Sequence, residues 1–232
     1  MNRAIVRNLP GARVAFSTRL GGVSEAPFDS LNLGILTDDD GERVARNRGV
    51  LAQEIGLEPD RIAAGLQVHG AQLTEWDAPP TVDRALVEAD GHVTAVKGLG
   101  LLVLAADCLP VALAGPGRVA MLHCGWRGVA AGIIARGASQ FDEPPAAVIG
   151  PGIGRCCFEV GPEVLEAFAD VYGAAEGRML DLRAVAEARL RAAGVTAVEH
   201  VDLCTFCRED LFFSHRRDGG VTGRQSGVVW RI

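Results

Sequence analysis

Hydrophobic and polar positions change period several times along the chain, and each change marks an element. Arg13 to Thr18 alternates and predicts a strand, followed by a turn at Gly21-Gly22 and an irregular polar stretch through Asp40. From Gly41 to Ile55, Val44, Val50, Leu51 and Ile55 fall near a 3.6-residue period, which predicts a helix stopped by Gly56. Arg61 to Trp76 reads as strand-like with a break at Gly70, and Val87 to Val93 carries a turn at Asp90-Gly91. Leu101 to Ala106 is wholly apolar, as a buried strand should be, and Val111 to Ala114 and Arg118 to His123 continue the pattern. Helices are predicted over Trp126 to Gln140, Pro162 to Tyr172 and Leu182 to Ala193. Strands are predicted over Ala146 to Gly150, Val195 to Val201 and Val228 to Ile232.

These elements come in blocks and do not alternate strictly, which predicts an α+β fold, a mixed β-sheet with flanking helices, over a doubly wound one. The 232 residues show no linker, internal repeat or low-complexity segment, so a single domain over 1–232 is expected. With 48% apolar residues the chain can bury a sizeable core. The net charge of −6 and the scattered bases argue against a nucleic-acid partner. The longest apolar run, Leu99 to Ala106, is far short of the about 20 residues that span a membrane. Met1 to Leu20 interleaves arginines with apolar residues, unlike a secretory leader, so a cytoplasmic address is expected. In that reducing compartment the six cysteines should be thiols, metal ligands or catalytic groups.

Three soft-metal ligands lie at or beside strand ends: His69 in Leu66-Gln-Val-His-Gly70, Cys108 in Ala105-Ala-Asp-Cys-Leu-Pro110, and His123 in Met121-Leu-His-Cys-Gly-Trp-Arg-Gly128. Two imidazoles and a thiolate would leave zinc a fourth position for water or substrate, the arrangement of a catalytic site. Their spacings are much longer than a C-x-x-C or H-x-x-x-H, so spacing alone does not declare a metal site. Cys108 with His123 as its base is an equally open reading, an activated thiol for acyl transfer.

Other motifs weigh less. Cys204-Thr-Phe-Cys207 is a C-x-x-C without a second one, and no compact βα unit leads into it, which favours local packing. Cys156-Cys157 reads as structural, since adjacent residues of a strand point to opposite faces. Gly150-Pro-Gly-Ile-Gly154 lacks the spacing of a phosphate loop and reads as a turn. Arg19, Arg127, Arg216 and Arg217 sit on glycine-containing loops, where guanidinium groups can clamp an oxyanion. No serine lies in a G-x-S-x-G elbow.

Together these motifs resemble the laccase-domain family, polyphenol-oxidase-type proteins understood as purine nucleoside phosphorylases with adenosine deaminase activity. The blocks that carry the resemblance run almost end to end. They are Phe16-Ser-Thr-Arg-Leu-Gly-Gly22, Ser30-Leu-Asn-Leu-Gly34, Asn47-Arg48, Gln67-Val-His-Gly70, Glu88-Ala-Asp-Gly91, Ala106-Asp-Cys-Leu-Pro110, His123-Cys-Gly-Trp-Arg-Gly128, Ile149-Gly-Pro-Gly-Ile-Gly154, Cys157-Phe-Glu-Val-Gly161 and Phe213-Ser-His-Arg-Arg-Asp218.

The resemblance implies that His69, Cys108 and His123 are metal ligands and catalytic residues. It further implies a fold similar to the cytotoxic-necrotising-factor-like cysteine hydrolases, and a zinc enzyme that cleaves adenosine, inosine or methylthioadenosine to base plus ribose 1-phosphate and deaminates adenosine. Phosphorolysis needs an anion clamp, for which Arg19, Arg127, Arg216 and Arg217 are the candidates, with inorganic phosphate as co-substrate. Deamination needs a proton shuttle, for which Glu88, Asp90 and Asp107 are the candidates; the H-x-E with P-C-x-x-C signature of other zinc deaminases is absent. The alternatives are a copper polyphenol oxidase with Met121 as its weak axial ligand, a cysteine hydrolase or amidase using Cys108 and His123, and a metal-stabilised binding module. Five histidines are too few for a multicopper cluster. The expected partners are small purine nucleosides, and the expected state is a monomer or weak homo-oligomer.

Overall fold

A computed structural model describes residues 3–81 and 87–232. Two mixed sheets stack against each other. The first has the order β1 (Ala4–Leu9), β2 (Ala12–Ser17), β13 (Gln225–Arg231), β6 (Gly100–Ala105) and β3 (Ile62–Ala63). The second has the order β12 (Val198–His200), β9 (Ala146–Ile149), β7 (Leu109–Gly115), β8 (Arg118–Cys124), β5 (Gly91–Thr94) and β4 (Leu73–Trp76). A short hairpin, β10 (Ala175–Glu176) and β11 (Met179–Leu180), stands apart. The pairs β3–β6, β4–β5 and β9–β12 are parallel, and the other pairs are antiparallel.

Alternation along each strand sends one set of side chains between the sheets and the other set outward. Val14, Phe16, Leu101, Val103 and Val229 of the first sheet meet Trp76, Ala112, Val119, Met121 and Val148 of the second. Outward residues Ala15, Leu102, Val228 and Trp230 are covered by Leu51 and Ile55 of α1 (Gly41–Ile55). The outer face of the second sheet is covered by α2 (Trp126–Ala130), α3 (Ile133–Ala138), α4 (Pro162–Ala167) and α5 (Leu182–Ala192), through residues such as Val129, Ile133, Val164 and Val185. Both faces of both sheets are therefore buried, which explains why several strands read as unbroken apolar runs. The Asp40 side chain accepts the N–H groups of Glu42 and Arg43 at the start of α1, and Gly56 closes it in the left-handed conformation at φ 72°.

The α+β class with mixed sheets and flanking helices agrees with expectation, with two sheets in place of one. The helix expected over Trp126 to Gln140 is divided, because Gly132 at φ 87° ends α2 before α3 begins. The helix expected over Pro162 to Tyr172 stops after Ala167. The segment Arg61 to Trp76 holds only β3 and β4, with a loop between them, and Asp90-Gly91 is no hairpin turn: Asp90 precedes β5 directly. Among the described residues no helix is long and apolar enough to cross a membrane.

Candidate metal centre

Strand directions bring the chemistry to one end of the second sheet. β8 runs antiparallel to both β7 and β5, so its C-terminal end meets their starts, and β4 starts at the same end because it is parallel to β5. His123 lies near the end of β8, Cys108 immediately precedes β7, Asp90 precedes β5, and His69 sits in the loop leading to β4. That loop is pinned by Gln67, whose side chain donates to the Leu104 carbonyl at 2.8 Å and accepts the Leu104 N–H at 2.7 Å.

Asp90 is fully buried and organises the centre. Its carboxylate accepts the backbone N–H groups of Val68, His69 and Gly70 at 3.1, 3.0 and 2.7 Å, and lies 2.8 Å from His123 Nδ1. These contacts hold His69 at φ 60°. The contact with the carboxylate keeps the proton on His123 Nδ1 and leaves Nε2 as the ligating atom. Burial raises the pKa of Asp90, but His123 and the N–H groups outweigh it and hold the carboxyl below its ordinary range.

The potential ligand atoms of His69, Cys108 and His123 lie within 4.8 Å of one another, and the two rings meet edge to face at 4.8 Å between centroids. Burial alone would raise the Cys108 thiol, yet His123 and His69 bring it down to about 6. Burial would lower His123, yet the Cys108 thiolate and Asp90 push it up to about 9. The two charges stabilise each other. A Cβ on Gly125 would stand 3.1 Å from Cys108 Sγ and 3.2 Å from His69 Cδ2, and one on Gly128 would stand 2.7 Å from the Gly70 carbonyl. Both glycines of Gly125-Trp-Arg-Gly128 thus let α2 approach the cluster. Two imidazoles, one thiolate and a hydrogen-bonded carboxylate behind the second imidazole form a donor set that fits zinc, and the missing Cβ at Gly125 keeps the cluster uncrowded.

A family model described as multi-copper polyphenol oxidoreductase laccase matches residues 13–232. The chain belongs to the laccase-domain family. Relatives include a purine nucleoside phosphorylase of Pseudomonas aeruginosa, 40% identical, with 94% of this chain and 93% of that protein covered. The purine nucleoside phosphorylase YfiH of Escherichia coli is 36% identical with both chains fully covered. Among solved structures, YlmD from Geobacillus stearothermophilus is 33% identical with a TM-score of 0.87, covering 96% of this chain and 93% of that one.

In this laccase-domain chain the other sequence candidates separate. Glu88 is exposed, beside a backbone bridge to Leu66. Asp107, at φ 95°, accepts from Thr205 Oγ1 at 2.6 Å and from the Arg216 N–H at 2.8 Å, so its carboxylate clasps two neighbouring segments. Asp90 and Asp107, the proton-shuttle candidates of the sequence, thus both accept hydrogen bonds from neighbouring segments. Arg217, a clamp candidate of the sequence, is engaged within the chain. Its guanidinium donates to Asp218 and to the carbonyls of Thr205, Phe206 and Phe212, which leaves no N–H for an oxyanion.

Arg19 lies over the Phe213 ring and bonds Asp29 and the Glu209 carbonyl; Arg127 is exposed over Trp126; Arg216 lies over Phe158 and bonds the Glu159 carbonyl. Sequence reading missed Arg224. Its backbone N–H is held by Asn32 Oδ1, and its half-buried guanidinium, lowered in pKa by burial, feels the negative charges of Cys108 and Asp107. Its signal was an arginine in Thr222-Gly-Arg-Gln225, just before an apolar strand.

His92 stays outside the cluster. It is buried in β5, where its Nδ1 accepts the Trp76 indole N–H at 3.2 Å, and burial pushes its pKa down to about 4. The unfolded chain binds a proton near pH 6.5 that the folded chain refuses, so stability is retained above that pH and falls as pH drops from 6.5 toward 4. The full loss should be about 3 kcal/mol. Denaturant titrations of wild type and His92→Gln, which keeps an acceptor for Trp76, should show their stability difference shifting by that amount between pH 7.5 and 4. A pH-independent difference would remove His92 as the cause.

Proposed function

We propose that the chain is a zinc-dependent purine nucleoside phosphorylase with adenosine deaminase activity. The observation that carries this reading is the His69–Cys108–His123 cluster, backed by Asp90, in a family whose relatives are named purine nucleoside phosphorylases. A zinc ion held by these three residues would supply Lewis acidity and lower the pKa of a water toward neutrality. Asp90 fixes the His123 tautomer and, through three N–H groups, the position of His69. Asp107 ties Thr205 and the Arg216 backbone to the chain beside Cys108, and Arg224 adds positive charge near the same point. In phosphorolysis a phosphate oxygen bonds the ribose anomeric carbon as the bond to the purine breaks, so a guanidinium pole for the incoming anion is required.

Arg216 and Arg19 are the clamp candidates best suited to that role, Arg216 because its own backbone is joined to Asp107. Loss of a charge-assisted contact of about 1.5–3 kcal/mol predicts that Arg216→Ala raises KM for phosphate by one to two decades. Phosphate-independent deamination of adenosine should lose much less, and Arg19→Ala should repeat the split if both arginines share the anion. Equal loss in both reactions would make Arg216 a structural residue.

The function itself is tested with adenosine as substrate of the zinc-loaded protein. Adenine should form only with phosphate, and inosine with or without it; formation of neither product would overturn the reading. A cysteine hydrolase has one feature in its favour, the contact of Cys108 with His123, which draws the thiol down and the imidazole up. The copper reading has the family description. Met121, its expected axial ligand, is fully buried in the cluster between the sheets, and Met1 lies outside the described residues.

A further inference from the structure

Four cysteines outside the candidate centre converge. β9 and β12 are parallel neighbours, so the segments that follow them leave the sheet at the same end, and a bridge between Gly152 and Cys204 extends their pairing. The first segment delivers Cys156 and Cys157 from a turn, and the second delivers Cys204 and Cys207. In a turn the alternation rule for strands no longer applies, and both adjacent thiols face the same point. This overturns the expectation that Cys156-Cys157 faces two ways, and Cys204-Thr-Phe-Cys207, expected to be local packing, meets both thiols there.

The four sulfurs lie within 4.8 Å of one another, with Cys156–Cys207 at 3.6 Å, Cys157–Cys207 at 3.4 Å and Cys156–Cys157 at 3.5 Å. A disulfide needs about 2.05 Å between sulfurs. Four thiolates at about 2.3 Å around a tetrahedral zinc stand roughly 3.8 Å apart, close to the separations found. The Gly154 N–H donates to Cys204 Sγ at 3.2 Å, a bond that favours a thiolate. Among the described residues no carboxylate or imidazole belongs to the cluster, and an all-sulfur tetrahedral donor set selects a soft ion.

We propose that Cys156, Cys157, Cys204 and Cys207 form a second, structural site that binds one zinc ion as a tetrathiolate. The site joins the two segments that grip Asp107: the Ile153 N–H donates to the Asp107 carbonyl at 2.9 Å, and Thr205 Oγ1 donates to its carboxylate. Asp107 precedes Cys108. The second ion thereby fixes the backbone that presents the thiol of the candidate centre, a role independent of which reaction that centre performs.

The test counts zinc in protein purified under reducing conditions, by elemental analysis and native mass spectrometry. Wild type should carry two zinc ions per chain, and Cys108→Ala and the double variant Cys156→Ser/Cys207→Ser one each. Should the double variant fail to fold, cobalt loading of Cys108→Ala asks the same question with the four cysteines intact. Intense visible bands of tetrahedral cobalt thiolate are expected there. Cys108→Ala protein that binds neither zinc nor cobalt, or an intact mass showing a disulfide among these cysteines, would overturn the site.

Discussion

Cys108→Ala should empty the candidate centre of zinc and lower kcat/KM for inosine phosphorolysis by about three decades, which is roughly 4 kcal/mol of transition-state stabilisation. Cys108 is the one anionic member of the donor set, placed between two imidazoles. Without it His69 and His123 retain neutral nitrogens alone, too few ligands for a tight site. The melting temperature of the variant should fall no further than that of zinc-stripped wild type, since a small residue replaces a small one at the mouth of β7. The same substitution would silence a cysteine hydrolase, so alkylation separates the two. Iodoacetamide should spare Cys108 in zinc-loaded wild type and modify it once a chelator is added. Rapid alkylation of Cys108 with zinc present would favour the nucleophile.

Asp90→Asn should weaken zinc binding at the centre by 10- to 100-fold and cut kcat/KM by a similar factor, although Asp90 lies behind His123 and outside the three clustered ligands. The carboxylate accepts from three backbone N–H groups and faces His123 Nδ1. An amide must turn its NH2 toward one of those donors, leaving a buried N–H without an acceptor. It also removes the charge that holds His123 in its tautomer. Loss of the buried bond should lower stability by about 1–3 kcal/mol. Chelator competition on the folded variant reads the affinity, and unchanged zinc affinity would leave Asp90 with a purely structural role in the loop of His69.

The residues of the centre were legible because each stands at the border of an apolar run. Cys108 opens one, His123 stands near the end of the next, and Gln67-Val-His-Gly70 interrupts a strand-like stretch. Their convergence was not legible, because it depends on β8 being antiparallel to both β5 and β7, a matter of pairing between distant segments. The same limit hid the second sheet. β1 went unpredicted because it is an edge strand, paired only with β2, whose side chains are half-exposed and interrupted by Arg7 and Asn8. β13 begins earlier than its apolar run, since Gln225 and Ser226 are buried with their polar groups bonded to Phe213 and Ser17. Asp90 was visible as a residue type but not as a hub, for nothing local announces three N–H groups from a loop some twenty residues earlier. The cysteine cluster needed the Gly152–Cys204 bridge, which no local pattern encodes.

Phosphorus NMR of zinc-loaded protein with inosine and phosphate follows phosphate-dependent nucleoside cleavage at the His69–Cys108–His123 centre. A growing ribose 1-phosphate signal should match hypoxanthine release one for one, and Cys108→Ala should give no signal. Hypoxanthine released without consumption of phosphate, or an equal signal from Cys108→Ala, would contradict it.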